Sequence, residues 1–472
     1  MNFDTLKHIY FLGIGGIGMS ALARFFASKG IQISGYDRTR TPLCESLERE
    51  GMRIHYVEDI NLLPKDIDLI VYTPAIPKDN NEFVYLQNTN IPICKRSEVL
   101  GLITEKMLGV CVAGAHGKTT ITTFIAHLLT QSQVKCNAFL GGISKNYNSN
   151  LILSDTSNIA VIEADEFDRS FLKLHPKVAV ISSVDADHLD IYGTKQALEQ
   201  SFADFANLVP QDGILFQKYG LPNLGRACKT YHLNNPQADY FTSNLHVENG
   251  AYHFDFNTPK GILNDCIMTY PGLHNVENAV VAIAIAQTLG VTKAEILHGL
   301  EAFQGVKRRF DIHFKTPCLV YIDDYAHHPQ ELKACIESVK NLYPNRKVTG
   351  IFQPHLYSRT RDFADEFVQS LSLLDTLILL DIYPAREKPI EGITSKMLLD
   401  KCTCPNKILT SKTDLIETLK TQSFDVLLTM GAGDIDQCVT PITNYLKSKH
   451  NLQGDVSTAL RYAQHDDTKT VH

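Results

Sequence analysis

The stretch that decides the fold class is Val110-Cys-Val-Ala-Gly114-Ala-His-Gly117-Lys118-Thr119-Thr120. It ends an apolar strand, makes a compact loop with two glycines, and continues into the helical pattern Ile121–Leu129. This order is typical of a P-loop, whose amides and lysine bind nucleotide phosphates and whose hydroxyl binds Mg²⁺. The first glycine of the strict motif would fall at Val112, so the loop is more compact than usual. The predicted ATP- or GTP-binding residues here are Gly114, Ala115, His116, Gly117, Lys118, Thr119 and Thr120.

A second glycine loop, Gly13-Ile-Gly15-Gly16-Ile-Gly18, lies near the N-terminus between the strand His8–Leu12 and the helix Met19–Lys29. Its amides are suited to a pyrophosphate, and Asp37 stands 19 residues after Gly18, where a ribose-binding carboxylate would be. Taken alone the loop favours a nicotinamide cofactor, although other diphosphates and a turn without ligand stay open. Two nucleotide loops in one chain favour a ligase, kinase or synthetase over a dehydrogenase.

Short β-rich runs alternate with helical patterns along almost the whole chain, which predicts an α/β fold with parallel sheets. At 472 residues the chain has room for about three domains. The predicted domains are a Rossmann-like domain at 1–105, a P-loop ATPase-like domain at 106–310 and a Rossmann-like α/β domain at 311–472. The polar tail after Lys447 loses its periodicity, and we expect it to fray.

Composition excludes several classes of protein. The formal net charge is −7, with no basic block, so nucleic acid and anionic membranes are poor candidates as partners. No apolar run is long enough to span a bilayer, and the N-terminus has no secretory pattern. The eleven cysteines form no disulfide or zinc framework, which fits the reducing cytoplasm.

Two acidic segments follow apolar strands: Glu163-Ala-Asp165-Glu166-Phe-Asp168 after residues 158–162, and Asp185-Ala-Asp187-His188-Leu-Asp190 after residues 180–184. Carboxylates at strand ends beside a P-loop are suited to Mg²⁺ held between phosphates. The predicted metal ligands are Thr119, Glu163 and His188, and Glu163 is the strongest candidate because it is closest to the strand end. A solvated acidic turn is the alternative for Asp165, Glu166 and Asp168. His188, unusual for a hard cation, would then be a helix-start or hydrogen-bonded histidine.

The chain resembles the Mur ligase family. The resemblance covers residues 5 to 445 in order and is strongest for the branch that joins L-alanine to UDP-N-acetylmuramate. It rests on the two glycine loops, both acidic segments and the segments Pro271-Gly-Leu-His274-Asn275-Val-Glu-Asn278-Ala, Val306-Lys-Arg308-Arg309-Phe310, Asp323-Asp324-Tyr325-Ala-His327-His328-Pro329, Phe352-Gln-Pro-His355 and Gly431-Ala-Gly433-Asp434.

The resemblance implies ATP, Mg²⁺, UDP-N-acetylmuramate and L-alanine as ligands, and an acyl phosphate formed on the lactyl carboxylate. It places Asn275 and Asn278 at adenine, although an N-cap plus a surface residue would also explain that pair. The remaining ATP-binding candidates are Arg309 and Asp324. The UDP-substrate candidates are Gly15, Gly16, Ile17, Gly18, Asp37, His55, Ala75 and Arg96. The amino-acid candidates are Tyr325, His327 and Arg359, and the catalytic candidates are Lys118, Glu163, His188, His327 and Arg359.

Three other functions stay open at this point. A ligase that attaches a whole peptide to UDP-N-acetylmuramate during cell-wall recycling would use the same chemistry. A nicotinamide oxidoreductase would explain the first loop but would leave Lys118, Glu163 and His188 without a role. A sensor of UDP-sugars would need no catalysis. We expect a monomer or a weak homodimer.

Overall fold

The computed structural model describes residues 3–185, 189–248, 250–385 and 387–450, with the backbone alone at Asp4, Leu189 and Asp190. The chain divides into two compact units, Met1–Lys307 and Arg308–His472. Among the described residues, no helix is both long enough and apolar enough to cross a bilayer.

Unit 1 begins with a parallel five-stranded sheet in the order β3-β2-β1-β4-β5. Its strands are β1 His8–Leu12, β2 Gln32–Tyr36, β3 Arg53–His55, β4 Leu69–Tyr72 and β5 Ile93–Lys95. Its helices are α1 Ile17–Ser28, α2 Pro42–Arg49, α3 Asn81–Gln87 and α4 Arg96–Lys106. The central strand β1 is fully buried, as expected for a parallel strand covered on both faces. The chain order reverses beside β1, the position where open α/β sheets bind ligands.

The second sheet of unit 1 has seven strands in the order β12-β11-β10-β6-β9-β7-β8, with β7 and β8 antiparallel and the other pairs parallel. The strands are β6 Leu108–Ala113, β7 Asn137–Ser144, β8 Ser149–Ile152, β9 Ile159–Glu163, β10 Pro176–Ile181, β11 Ile214–Lys218 and β12 Lys229–Tyr231. The helices are α5 Lys118–Gln131, α6 Leu189–Tyr192 and α7 Lys195–Asn207. The central strand β6 leads into the P-loop, which therefore lies at the carboxyl edge of the sheet.

A three-stranded antiparallel sheet completes unit 1, and the sequence analysis did not anticipate it. It consists of β13 Phe241–Glu248, β14 Ala251–Thr258 and β15 Gly261–Met268, and is followed by α8 Leu273–Thr288 and α9 Lys293–Ala302. Residues 279–286 of α8 are buried on every side, so this helix is part of the core. Helix α8 packs on α5. The ring of Phe124 in α5 stacks on the ring of Phe303, which follows α9, with the centroids 3.8 Å apart.

Unit 2 is built on a six-stranded sheet in the order β16-β17-β21-β18-β19-β20, parallel except for the β16–β17 pair. The strands are β16 Asp311–Lys315, β17 Val320–Asp324, β18 Val348–Phe352, β19 Thr376–Leu379, β20 Asn406–Leu409 and β21 Val426–Met430. The helices are α10 Pro329–Leu342, α11 Tyr357–Asp362, α12 Ala364–Leu371, α13 Ser395–Lys401 and α14 Leu415–Lys420. Residues 439–450 are also helical. The predicted α/β class with parallel sheets is confirmed.

Candidate active site

The P-loop between β6 and α5 has the backbone shape that a phosphate needs. Gly114 and Gly117 have φ angles of 135° and 83°, which side chains other than glycine rarely adopt. A Cβ on Gly114 would lie 2.8 Å from the Ser183 amide nitrogen, so the loop packs closely on the chain after β10. The Ser183 hydroxyl accepts from the His116 amide at 2.8 Å. Ser183 thus holds the loop, and sequence reasoning did not identify it.

Lys118 begins α5 and is held by a buried carboxylate. Its ammonium lies 2.8 Å from Glu166 Oε2 and donates to the Gly114 carbonyl at 2.7 Å. The two side chains are 15% and 2% exposed. Burial opposes the lysine charge, but Glu166, Asp165 and Glu163 outweigh it and raise the pKa of Lys118. The solvated-turn interpretation is therefore wrong for Glu166.

Two of the three predicted metal ligands lie beside the same pair of glycines in β7. Glu163 ends β9 and is in register with Val112 of β6, so its carboxylate reaches the P-loop edge of the sheet. A Cβ on Gly141 would overlap that carboxylate, and a Cβ on Gly142 would lie 3.1 Å from Thr119 Cγ2. The structure thus places the Thr119 side chain and the Glu163 carboxylate against neighbouring residues of β7. A hydroxyl and a carboxylate are both oxygen donors of the kind that Mg²⁺ prefers. His188 lies outside the described residues.

The candidate adenine residues stand next to the P-loop. A Cβ on Gly117 would lie 3.0 Å from Asn278 Oδ1, which places the start of α8 against the start of α5. Asn275 is 2% exposed, and its amide donates to the Pro271 carbonyl at 2.6 Å. Asn278 donates to Asn275 Oδ1 at 3.3 Å, so the two amides are bonded to each other. Of this pair, Asn278 is the one that directly borders the loop.

The first glycine loop is closed by Asp37. The Gly15 amide donates to Asp37 Oδ2 at 2.9 Å, and Thr39 donates to Oδ1 at 3.1 Å. Asp37 therefore shapes the loop from its position after β2. The guanidinium of Arg96 lies directly against Gly18, where an added Cβ would overlap it. The loop residues Gly15, Gly16, Ile17 and Gly18 thus share one edge of the first sheet with Asp37 and Arg96.

A short acidic turn joins the two glycine loops of unit 1. Arg96 donates to Asp165 Oδ2 at 3.1 Å, and Lys95 donates to Asp168 Oδ2 at 3.0 Å. Glu166, between these two aspartates, holds Lys118. Asp168 and Arg169 have φ angles of 52° and 53°, a conformation that costs a non-glycine residue about 1–3 kcal/mol.

His55 ends β3 and is held by a fully buried glutamate. Its Nε2 lies 2.8 Å from Glu82 Oε1, and the Tyr10 hydroxyl donates to Glu82 Oε2 at 2.5 Å. The His55 side chain is 18% exposed, so one side of the ring remains open to solvent. Ala75 is exposed in a turn that packs on Gly13 through Thr73 and Ile76. Glu82 carried no sequence signal, because its partners are distant in the chain.

In unit 2, Asp324 ends β17 and is buried. Its carboxylate accepts from the Phe310 amide at 2.7 Å and from the Ala326 amide at 2.8 Å. Burial raises the pKa of Asp324 to about 6, although Arg309 and these two amides act against the shift. The guanidinium carbons of Arg308 and Arg309 each lie 5.1 Å from the centre of the Tyr325 ring. Tyr325 and Arg309 are thus brought together beside Asp324.

His327 follows on the same loop. Its Nδ1 lies 3.0 Å from the Tyr325 carbonyl and 3.3 Å from Glu331 Oε2. Burial lowers the pKa of His327 to about 4, with Arg359 adding to the shift and Glu331 opposing it. Arg359, in the short helix α11, is therefore near His327, and the His355 ring lies 6.1 Å away at its centroid. Glu331 was missed, although its position three residues after His328 is a capping-box spacing.

Comparisons with known proteins agree with this architecture. The profile of the Mur ligase family catalytic domain matches residues 8–107, that of the Mur ligase middle domain residues 112–286, and that of the Mur ligase glutamate ligase domain residues 308–433. A UDP-N-acetylmuramate–L-alanine ligase of Porphyromonas gingivalis is 50% identical in an alignment 454 positions long, which covers 94% of this chain and 100% of the relative. The protein of the same name from Christiangramia forsetii is 49% identical, over 94% of this chain and 99% of the relative.

Solved structures show the same similarity. The crystal structure of a UDP-N-acetylmuramate–alanine ligase from Thermotoga maritima aligns with a TM-score of 0.80 and 27% identity, covering 94% of this chain and 99% of that one. A murein peptide ligase from Psychrobacter arcticus has a TM-score of 0.68 at 23% identity, covering 93% and 98% of the two chains, which shows the shared fold. With matches of this extent across both units, the chain belongs to the Mur ligase family.

Proposed function

We propose that this chain is an ATP-dependent ligase that joins L-alanine to the lactyl carboxylate of UDP-N-acetylmuramate, a step in making peptidoglycan precursors. The main support for this function is the 50% identity to a UDP-N-acetylmuramate–L-alanine ligase, along 94% of this chain and the whole of the relative. The two nucleotide-type loops of unit 1 support the proposal, because the reaction needs both a UDP-linked substrate and ATP.

The chemistry converts a carboxylate oxygen into a leaving group. A carboxylate oxygen attacks the γ-phosphorus of ATP, and the bond from that phosphorus to the β,γ-bridging oxygen breaks. ADP is the leaving group, and the product on the substrate is an acyl phosphate. The alanine amine then attacks the acyl carbon, loses a proton and displaces phosphate. Lys118 and the amides of residues 114–120 would hold the transferring phosphoryl group, which requires Lys118 to exchange Glu166 for a phosphate oxygen.

The residues beside the P-loop fit Mg²⁺. Thr119 and Glu163 offer two oxygen donors, and the lack of side chains at Gly141 and Gly142 lets both residues pack closely on β7. A bound Mg²⁺ would neutralise charge on the phosphates and the acceptor carboxylate. His188 stays in this proposal as a further ligand from sequence.

For the UDP-linked substrate we propose contacts along Gly15–Gly18, with Ala75 and Arg96 beside them. Arg96 can reach a diphosphate only by sharing or leaving its bond to Asp165. Asp37 is held by its hydrogen bond to the Gly15 amide, and His55 by its hydrogen bond to Glu82. Each would therefore contact the ligand from a fixed position.

In unit 2 we propose Tyr325, His327 and Arg359 for the amino acid. The Nδ1 proton of His327 is directed at the Tyr325 carbonyl, so a neutral ring presents an Nε2 lone pair that can accept from an ammonium group. Arg359 suits the carboxylate of alanine. Arg309 and Asp324 would contact the nucleotide, with the position of Asp324 fixed by two backbone amides.

We also propose three domains, at 1–105, 106–310 and 311–472. The first two correspond to unit 1 and the third to unit 2, which begins three residues before the proposed border, at Arg308. All eleven cysteines lie in the described residues and none forms a disulfide, which supports a cytoplasmic location.

Phosphate release from ATP tests the function. We expect release that requires Mg²⁺, UDP-N-acetylmuramate and L-alanine together. Release with a tripeptide but not with alanine would assign the chain to peptide recycling. Binding of the UDP-sugar without any release would leave a sensor and refute the ligase.

A further inference from the structure

One face of the hairpin β13–β14 carries three potential metal ligands. His246 and Glu248 are two apart on β13, so both side chains are on the same side of the strand. His253 of β14 is paired directly with His246 in the antiparallel register. Cross-strand partners lie on the same face, which brings the third ligand to the other two.

The opposite face of β14 is buried and holds this strand of the hairpin in place. Tyr252, Phe254 and Phe256 alternate along β14 and are 3%, 2% and 0% exposed. The Tyr252 hydroxyl accepts from the Gly272 amide, at the start of α8, at 3.3 Å. The face with the three ligands is therefore left to solvent, on strands that the core holds in place.

The side chains are close enough to share one ion. The candidate ligand atoms of the three residues all lie within 4.8 Å of one another, and His246 Nε2 is 4.0 Å from Glu248 Oε2. Ligands around a tetrahedral zinc ion are about 3.3 Å apart, given metal–ligand bonds of about 2.0–2.1 Å. We expect side-chain rotations to close that difference, since His246 and Glu248 are exposed and His253 is half-exposed. The two imidazole rings are 5.4 Å apart at their centroids and inclined by 21°.

A backbone carbonyl sets the tautomer of His246. Its Nδ1 lies 2.8 Å from the Asn244 carbonyl oxygen, which can only accept, so Nδ1 carries the proton and Nε2 has the lone pair. Asn244 has a φ of 53° at a break in the strand register, and this bulge turns its carbonyl to the ring. Metal-binding histidines are typically oriented by such a bond from the second nitrogen.

We propose that His246, Glu248 and His253 bind one divalent transition-metal ion, with Zn²⁺ as the representative, and that water completes the coordination. Two imidazole nitrogens and one carboxylate favour zinc, nickel or copper over Mg²⁺, which prefers oxygen. The site is on the antiparallel sheet, whereas the Mg²⁺ candidates Thr119 and Glu163 belong to the seven-stranded sheet. The bound ion would join β13 to β14 and stabilise the hairpin.

Calorimetric titration of the full-length, chelator-stripped protein with ZnCl₂, in excess Mg²⁺, tests the site. We expect one Zn²⁺ per chain, and binding weakened more than about tenfold in His246→Ala and in His253→Ala. Glu248→Gln should also weaken binding, because an amide oxygen is a poorer ligand than a carboxylate. His298→Ala removes an exposed imidazole on α9 and should bind as the wild type does.

Two further measurements make the result decisive. Without zinc, all four variants should melt at the wild-type temperature. With Mg²⁺ they should also retain ligase activity. Added Zn²⁺ should raise the melting temperature of the wild type and of His298→Ala, but not of the double variant His246→Ala/His253→Ala. Failure to bind Zn²⁺, or stoichiometric binding that survives in the double variant, would overturn the proposal. Neither zinc binding nor the zinc-dependent rise in melting temperature depends on the ligase reaction.

Discussion

The substitution Glu166→Gln tests the electrostatics of the P-loop lysine. It keeps the shape of the side chain but removes the charge that lies 2.8 Å from the Lys118 ammonium. Lys118 is then left in a buried position with the neutral Gly114 carbonyl as its main acceptor. Breaking a buried ion pair on one side typically costs about 3–5 kcal/mol, because the remaining charge loses its direct partner. Asp165 and Glu163 also raise the pKa of Lys118 and still offset part of this cost.

The expected loss has an upper bound. Lys118 can lose its proton instead of remaining as an unpaired charge, and at pH 7 this costs about 4.6 kcal/mol from an ordinary lysine pKa of about 10.4. We therefore expect a loss of about 3–4.6 kcal/mol. With an unfolding entropy of about 2.1 cal/mol/K per residue, unit 1 (Met1–Lys307) has about 0.64 kcal/mol/K, so its melting temperature falls by about 5–7 °C.

Calorimetric melting of four proteins measures the interaction free energy between Lys118 and Glu166. The four proteins are the wild type, Glu166→Gln, Lys118→Met and the double variant. Each single variant leaves one buried charge, whereas the double variant leaves none, so it should melt above both single variants. Raising the pH should narrow the gap between Glu166→Gln and the wild type, because the orphaned lysine is deprotonated more easily. Mg·ATP should raise the melting temperature of Glu166→Gln more than that of the wild type, since a phosphate restores a partner.

The reasoning would be refuted if the losses of the two single variants simply added in the double variant, to within about 0.5 kcal/mol. It would also be refuted if Glu166→Gln melted with the wild type while Lys118→Met did not, because Glu166 would then contribute nothing to the lysine.

Four further outcomes are expected. Lys118→Met should reduce the rate of alanine-dependent phosphate release by about 10²–10³-fold, the range for loss of one donor to a developing anion; Lys95→Met, which changes a more exposed lysine, is the matched control. Gly18→Ala should raise the KM for UDP-N-acetylmuramate but not for ATP, since the added Cβ overlaps Arg96; an unchanged KM would contradict the placement of the UDP loop. NMR titration should find the His327 ring neutral from pH 8 down to about 5. Because its pKa falls from 6.5 to about 4 on folding, stability should rise with pH between those two values, a slope that His327→Gln should lose. Asp324 acts in the opposite sense, because its pKa rises from 3.8 to about 6 on folding and the folded state binds the proton more tightly. Stability should therefore fall as pH rises between those values, and Asp324→Asn should remove that fall. An unaltered pH profile of denaturation would contradict the burial of this carboxylate.

Local patterns predicted the elements that local physics controls. Strand β1, His8–Leu12, has the predicted bounds, because it is a short apolar run next to turn residues. Helix α5 begins at Lys118, three residues before the apolar pattern at Ile121, because the loop glycine Gly117 takes the N-cap position. The sequence analysis missed the antiparallel sheet. Strand β14 does alternate, because only one of its faces packs on the core.

Site residues with distant partners were beyond a reading of the sequence. The acidic composition around Glu166 favours a solvated turn, and only the ion pair with Lys118, 48 residues earlier in the chain, explains its burial. Glu82, on helix α3, is similar, because its partners Tyr10 and His55 come from strands β1 and β3, which are distant in the chain. A buried carboxylate is stable only where the tertiary fold supplies donors, so local composition cannot predict it.

The acidic turn after β9 makes the two nucleotide loops electrostatically dependent on each other. Asp165 binds Arg96 of the UDP loop, and the next residue, Glu166, binds Lys118 of the ATP loop. A phosphate that takes Lys118 from Glu166 leaves an extra negative charge beside Asp165, which strengthens its hold on Arg96. A diphosphate that takes Arg96 leaves Asp165 to interact more strongly with Lys118, whose pKa it already raises. Because both bonds involve adjacent residues of one short, conformationally strained turn, a substitution in either loop should alter the affinity of the other.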